Sequence, residues 1–200
     1  MAAESFVVHY PEDQLWGVGV AAWEVGQGYT RQAPLTRLAR VPIARLVDSL
    51  GLSAHLAVLL GADVVYLVEE RASGQDRLVT DVGVRLPAHL TASGRAILAG
   101  LAPAQVRALH PSGAALVRRT ESGPRTLAEL RTILAATRRR GYAEEDSDVT
   151  AGFASIAVGL RSASNLAAVA VTWRTPLAGD PQRVLEKLQQ TAAVIEARLR

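Results

Sequence analysis

The sequence predicts an α+β fold, an antiparallel sheet with helices packed on it, and three observations predict it. Two pairs of β-rich runs each flank a short turn: Ala54–Leu60 and Val64–Glu69 around Gly61-Ala62-Asp63, then Phe153–Leu160 and Leu166–Arg174 around Ser162-Ala163-Ser164-Asn165. Helical periodicities join and follow these hairpins without alternating strand by strand, which argues against a doubly wound parallel sheet. The 200 residues, 49% hydrophobic and 20% charged, suffice to bury the core of one domain carrying at most a short arm.

The elements follow in order. From Phe6 to Gly28, Trp16, Val20 and Trp23 recur at helical spacing and a glycine pair can stop the run, so an amphipathic leading helix is expected. The two tryptophans read either as core or as part of a linker. A second helix, Pro34–Leu50, presents Leu35, Leu38, Ile43, Leu46 and Leu50, with Pro42 splitting or kinking it and Gly51 placed to end it in a left-handed conformation. After the first hairpin a third strand is expected at Arg77–Val82. The loop VGVRLPAHL follows, and then Thr91 caps a helix running to about Leu101. Pro103 begins another short helix. Thr126 and Glu129 form a capping-box pair opening the helix Leu127–Arg140, which Gly141 closes, and its last turn carries Arg138, Arg139 and Arg140 against the negative dipole end. An acidic loop, EEDSD, precedes the second hairpin. Asp180 and Pro181 open the last helix, with Val184, Leu188, Ile195 and Leu199 as its buried stripe.

Composition removes several functions. The 22 Lys plus Arg exceed the 19 Asp plus Glu by three, too few at this length to indicate nucleic acid, and the almost exclusive use of arginine, with Lys187 the sole lysine, reads as compositional. The absence of cysteine excludes disulfides, thiolate zinc sites and thiol catalysis. No apolar run reaches the roughly 18 residues of a membrane span, and the start lacks a signal-peptide pattern, so no membrane partner and a cytoplasmic location are expected. Gly-x-Ser-x-Gly, a phosphate loop and HExxH are all missing. The Gly17-Val18-Gly19 stretch follows no expected strand and lacks the later glycine of a dinucleotide site. His9, His55, His89 and His110 are scattered, so no metal and no cofactor is expected.

Two features carry chemistry. Thr91-Ala92-Ser93-Gly94 puts small residues on the first turn of a helix after a tight loop, where uncapped N–H groups and the dipole suit a carboxylate or phosphate. The same small residues read equally as permitting close helix-to-sheet packing. Glu144, Glu145, Asp146 and Asp148 read as a solvated loop, or as one acid turned inward to meet a ligand hydroxyl or cation. If that acid faced the helix start, the amides would hold a ligand's anionic end and the carboxylate its donor end.

The blocks VGVRLPAHLTASGRAILA, RRRGYAEEDSDVTAGFASIAV and NLAAVAVTW resemble the effector-binding domain of IclR-type bacterial transcription regulators. The resemblance extends more weakly to HLAVLLGADVVYLVEE and covers roughly residues 36–200. It implies a GAF- or profilin-like domain with a curved antiparallel sheet and a small-molecule pocket between sheet and helices. Carried over by motif position, the pocket falls on Ala92 and Ser93 at the helix start, with Leu78 and Leu86 as apolar lining. The acidic contact falls on Glu145, with neighbouring Asp146 as a candidate, and Ser155, Ala170 and Thr172 line the strands. Ser155 stands where many members have cysteine. Ala170 leaves one hydroxyl fewer on the last strand, and Trp173 replaces a common glycine, so it reshapes the pocket mouth or covers an interface.

The resemblance also sets the domains: 1–33 as the end of a wing strand, near Phe6–Tyr10, and a linker helix, and 34–200 as the effector-binding domain. The expected function is a non-catalytic sensor that binds a small organic, carboxylate or aromatic, acid. The expected partners are a second copy or three, as homodimer or homotetramer, and DNA only through a winged helix-turn-helix not present in this chain. The alternatives are a small hydrolase on a GAF-like scaffold, using Ser93 or Ser155 with His89, and an oligomerisation module.

Overall fold

A computed structural model of the chain describes residues 6–32, 34–74, 78–110, 115–161, 166–177 and 179–199. Contacts divide the chain into two units, one up to Arg37 and the other Leu38–Arg200.

The first unit is not one helix. Strands β1 (Val7–Tyr10) and β2 (Leu15–Val18) pair antiparallel, with Val7 opposite Val18 and Tyr10 opposite Leu15, and helix α1 (Val20–Gln32) follows. Trp16, Val20 and Trp23 do share helical spacing. But Val7, Val8, Tyr10, Trp16 and Val18 are β-branched or aromatic, and Gln14 takes a positive φ of 54° with its side chain returned to the Pro11 carbonyl. The turn, and the stacking of His9 on Trp16, settle the segment as a hairpin. Trp16 and Trp23 are both exposed rather than core.

In the second unit six antiparallel strands form a curled sheet in the order β5-β4-β3-β8-β7-β6. The strands are β3 (Ser53–Leu60), β4 (Asp63–Glu70), β5 (Arg85–Pro87), β6 (Ala143–Asp146), β7 (Phe153–Arg161) and β8 (Leu166–Arg174). The Gly61 turn closes the first hairpin with φ at +63°. The second hairpin pairs Arg161 with Leu166, and its expected turn, residues 162–165, lies outside the described residues. Two expectations are corrected. Arg77 lies outside the described residues and Leu78–Val82 forms no strand: Asp81 Oδ1 accepts the Val82 amide and Gly83 bends the chain with φ at +84°, so the third strand comes later, as β5. The acidic stretch is not all loop, because Ala143–Asp146 is the edge strand β6, held against β7.

The helices are α2 (Pro34–Leu50), α3 (Ala92–Gly100), α4 (Pro103–Leu109), α5 (Leu127–Arg140) and α6 (Pro181–Arg198). Helix α2 runs unbroken past Pro42 and ends where Gly51 turns left-handed. Thr126 caps α5 and Gly141, with φ at +81°, ends it. Arg138 in its last turn donates to the carbonyls of Ala99 and Leu101, so it caps the end of α3, while Arg139 stands in solvent. Val184, Leu188, Ala192 and Ile195 form the buried stripe of α6, and Leu199 is only half-buried.

Helix α3 packs across β7 and β8, with α5 against it, over a core that includes Val64, Tyr66, Ala92, Ile97, Leu98, Leu134, Ala157 and Ala168. The strand residues of that core alternate with Leu56, Val169 and Val171, which face the other way, and α6 packs on β7 and β8 without joining it. Helix layers therefore cover a sheet buried on both faces.

Candidate functional site

Strand alternation places one set of side chains under the start of α3. The register aligns His55 of β3 with Ala170 of β8, Ser155 of β7 with Thr172, and Glu145 of β6 with Ser155. Above them Thr91 caps α3: its hydroxyl accepts the Gly94 amide, and its carbonyl accepts that of Arg95. The amides of Ala92 and Ser93 are left with no partner among the described residues. An ideal Cβ on Gly94 would stand 2.1 Å from the Ala88 carbonyl oxygen, so that glycine lets the helix press onto the preceding loop. The packing reading of the small-residue run thus holds at Gly94, while Ala92 and Ser93 present free amides beside it.

Between sheet and helix start lies a partly open cavity, whose empty space counted together with the solvent at its mouth is about 430 Å³. Seven of the nine expected residues line it: Leu78, Ala92, Ser93, Glu145, Ser155, Ala170 and Thr172. Two do not. Leu86, on β5 opposite Val64, is buried in the core below α3. Asp146 follows Glu145 on a strand, so the period of two turns it to the other side, where it is exposed and accepts the Ser147 hydroxyl. Trp173 is absent from the cavity lining and lines an open groove against α5 and β6, which also reaches Glu145 and Ser155.

Sequence reasoning missed His55, Tyr66, Val79, Thr80, Val149, Thr150 and Phe153, which also line the cavity. A signal existed for two of them. His55 and Tyr66 interrupt the apolar stretches Ala54–Leu60 and Val64–Val68, at positions whose alternation faces the helix layer. His55 Nε2 pairs with the Thr80 hydroxyl at 2.8 Å, and burial, helped by the charge of Arg71, holds the ring down to about 3. Its 4.0 Å approach to Glu69 is thus a contact of a neutral ring, not an ion pair. Burial pushes the Tyr66 phenol well above the usual tyrosine range, so it faces the cavity neutral.

Glu145 is the centre of the polar end and only 6% exposed. Ser155 Oγ donates to its Oε1 at 2.6 Å, the Asp148 amide donates to its Oε2 at 3.1 Å, and Thr172 Oγ1 stands 3.0 Å from Ser155 Oγ. Burial raises the carboxyl to about 7, against the lowering effect of those hydrogen bonds. The nearest cation is committed elsewhere. Arg95 pairs with Asp148 and donates to the carbonyls of His89 and Glu144. Among the described residues no lysine or arginine lines the cavity.

The arrangement does not resemble a hydrolase. Ser155 is bonded to a carboxyl and a hydroxyl, whereas His89 lies outside the cavity, bonded through Nε2 to the Val117 carbonyl and packed edge-on against His110. Among the described residues no three His, Cys, Asp or Glu gather as a metal site, and no helix is long and apolar enough to cross a membrane.

Residues 27–197 match the family described as "Bacterial transcriptional regulator IclR C-terminal". The chain is 28% identical over 161 residues to the "Transcriptional repressor IclR" of Escherichia coli K12, an alignment covering 78% of this chain and 58% of that protein. With the "Probable transcriptional regulator SauR" of Cupriavidus necator it shares 34% identity over 68% of this chain and 54% of that one. The chain thus spans somewhat more than half the length of these relatives, which are regulators by name. Among solved structures, the IclR homologue of Microbacterium hydrocarbonoxydans complexed with 4-hydroxybenzoate superposes with a TM-score of 0.82 at 25% identity, covering all of this chain and 81% of that one. Thermotoga maritima IclR has the same TM-score at 20% identity, covering 99% and 81%, and shares the fold.

Proposed function

The chain belongs to the IclR C-terminal family, and from that premise we propose that it is the ligand-sensing part of a bacterial transcription regulator. It binds a small organic acid, carboxylic or phenolic, in the cavity under α3. The Ala92 and Ser93 amides hold the ligand's carboxylate, the positive end of the helix dipole reinforcing them. Glu145, backed by Ser155 and Thr172, meets the ligand's hydroxyl or other donor at the opposite end. Leu78 and Ala170 supply apolar walls. DNA is contacted through a winged helix-turn-helix that these 200 residues do not include, the assembly is a homodimer or homotetramer, and the setting is the cytoplasm.

One observation carries this reading: two helix-start amides with no partner among the described residues and a buried carboxyl line the same cavity. The 4-hydroxybenzoate in the Microbacterium structure is an acid with a carboxylate at one end and a hydroxyl at the other, the pattern the two ends of this cavity would fit. A thermal-shift screen against small mono- and dicarboxylic and phenolic acids tests it, because a ligand that binds only the folded state raises the midpoint with the logarithm of its concentration. Ser93→Trp, which fills the space, and Glu145→Ala should each abolish the shift while leaving an unliganded folded protein. A shift unchanged in both variants would remove the cavity as the site.

A further inference from the structure

The polar end of the cavity is built to hold a carboxyl group in either protonation state. Ser155 Oγ sits between Glu145 Oε1 at 2.6 Å and Thr172 Oγ1 at 3.0 Å. With Glu145 ionised, the Ser155 hydroxyl donates to it. With Glu145 protonated, the acid donates to Ser155, and Ser155 turns to donate to Thr172. In either arrangement the Ser155 hydroxyl keeps an acceptor, the Thr172 hydrogen of the second points to the cavity that Thr172 lines, and no backbone needs to move.

The charges around Glu145 favour the protonated form once an anion arrives. From the turn after β6 it faces Asp148, whose carboxylate is neutralised by Arg95 of α3. From β7 and β8 it faces the hydroxyls of Ser155 and Thr172, and from β4 the neutral Tyr66 phenol. His55 of β3, the remaining titratable group in the lining, is held neutral by burial. Glu144 and Asp146, its neighbours on β6, are exposed, with Glu144 paired to Arg140. Among the described residues no free cation lines this space to balance a second negative charge, and amides alone balance only part of one.

We infer that an organic anion enters this cavity together with a proton carried on Glu145, so that binding takes up one proton from solution wherever Glu145 is ionised in the empty site. The inference rests on the organic-acid reading of the site and adds its regulation. The protonated acid keeps a carbonyl oxygen that can accept from a ligand hydroxyl, so the assignment of the two ends is unchanged. The consequence is a sensor whose response to a fixed concentration of acid strengthens as the surroundings acidify. Burial already raises Glu145 to about 7, which places the change near neutrality.

Calorimetric titration of this chain with benzoate and with 4-hydroxybenzoate at pH 6 and pH 8, each in two buffers of different ionisation enthalpy, tests it. Benzoate stays ionised throughout, so the ligand contributes no proton of its own. Affinity should fall about tenfold from pH 6 to pH 8, the loss expected for one group titrating near 7. The buffer dependence of the heat should report one proton taken up near pH 8. Glu145→Gln, which keeps the shape and loses the proton site, should bind at pH 6, show the same affinity at pH 8, and give heats independent of buffer. Binding of equal strength at both pH values in the unmodified chain, with no proton uptake, overturns the inference while leaving the cavity as the site. No binding of either acid at any pH overturns the organic-acid reading and this inference with it.

Discussion

Gly94 makes the tightest approach in the site, and its substitution separates packing from recognition. A Cβ there would meet the Ala88 carbonyl oxygen at 2.1 Å and the Ala88 Cα at 2.4 Å, atoms of backbone that cannot swing aside. Gly94→Ala should therefore push the start of α3 off the loop and cost about 1–3 kcal/mol, the usual penalty for overpacking a filled interior. Urea unfolding reads this directly, and a midpoint equal to that of the unmodified chain would show that the contact is not what holds the loop. At this scale the sequence was partly legible. The run of small residues announced a close approach or an exposed helix start, but only coordinates could give packing to Gly94 and the cavity to Ala92 and Ser93. Glu145 and Asp146 could not be separated while the acidic run read as loop. Once it is a strand, the period of two turns one inward and the other to solvent. Leu86 failed for a related reason: pairing with β4 sends it into the core beneath the helix rather than into the hollow beside it.

Elements with their own start and stop chemistry were readable, and those defined by what they pack against were not. Helix α5 begins and ends at the expected residues because Thr126 and Gly141 act locally, through a side-chain bond and a positive φ. The leading hairpin was misread because helical spacing of three large residues is also compatible with strands, and the deciding turn at Gln14 carries no glycine. The loop 78–82 was misread because two of its apolar residues, Leu78 and Val79, face a cavity and the third, Val82, stands exposed, none of them against a neighbouring strand. What binds the elements around the site is Arg95. Its guanidinium joins the loop before α3, strand β6 and the turn after it, through the His89 and Glu144 carbonyls and the Asp148 carboxylate. Both partners of the ion pair are under a tenth exposed. Arg95→Met should thus cost about 3–5 kcal/mol, since it leaves Asp148 buried and unpaired, and Arg95→Met with Asp148→Leu should cost less than the two single losses added together. Additive losses in that double-mutant cycle would mean that the pair is not coupled.

The whole molecule carries titratable groups whose burial pulls stability in opposite directions, so its pH profile is a test of the site's electrostatics without any ligand. Burial lowers His55 to about 3 and also lowers His89 and His110. For each, the unfolded chain takes up a proton below about 6.5 that the folded chain refuses, so stability is lost as pH falls below that point. His55 alone accounts for about 1.4 kcal/mol per pH unit well below 6.5. Glu145 has the opposite sign. Its folded value of about 7 exceeds its ordinary 4.5, so the folded chain binds the extra proton between them, and the stability this contributes at low pH is lost as pH rises through about 7. Both effects act mainly between about 4.5 and 7, the histidines adding stability as pH rises and Glu145 removing it, so the slope there is their difference, and above about 7 both are spent. Three histidines outweigh one carboxyl, so urea midpoints at pH 5, 6, 7 and 8 should rise toward about 7 and then level off. In Glu145→Gln the rise between pH 5 and 7 should steepen, because the group that offset the histidines is gone. A wild-type midpoint that is flat from pH 5 to 8 would mean that water reaches these side chains and that their burial does not set their titration.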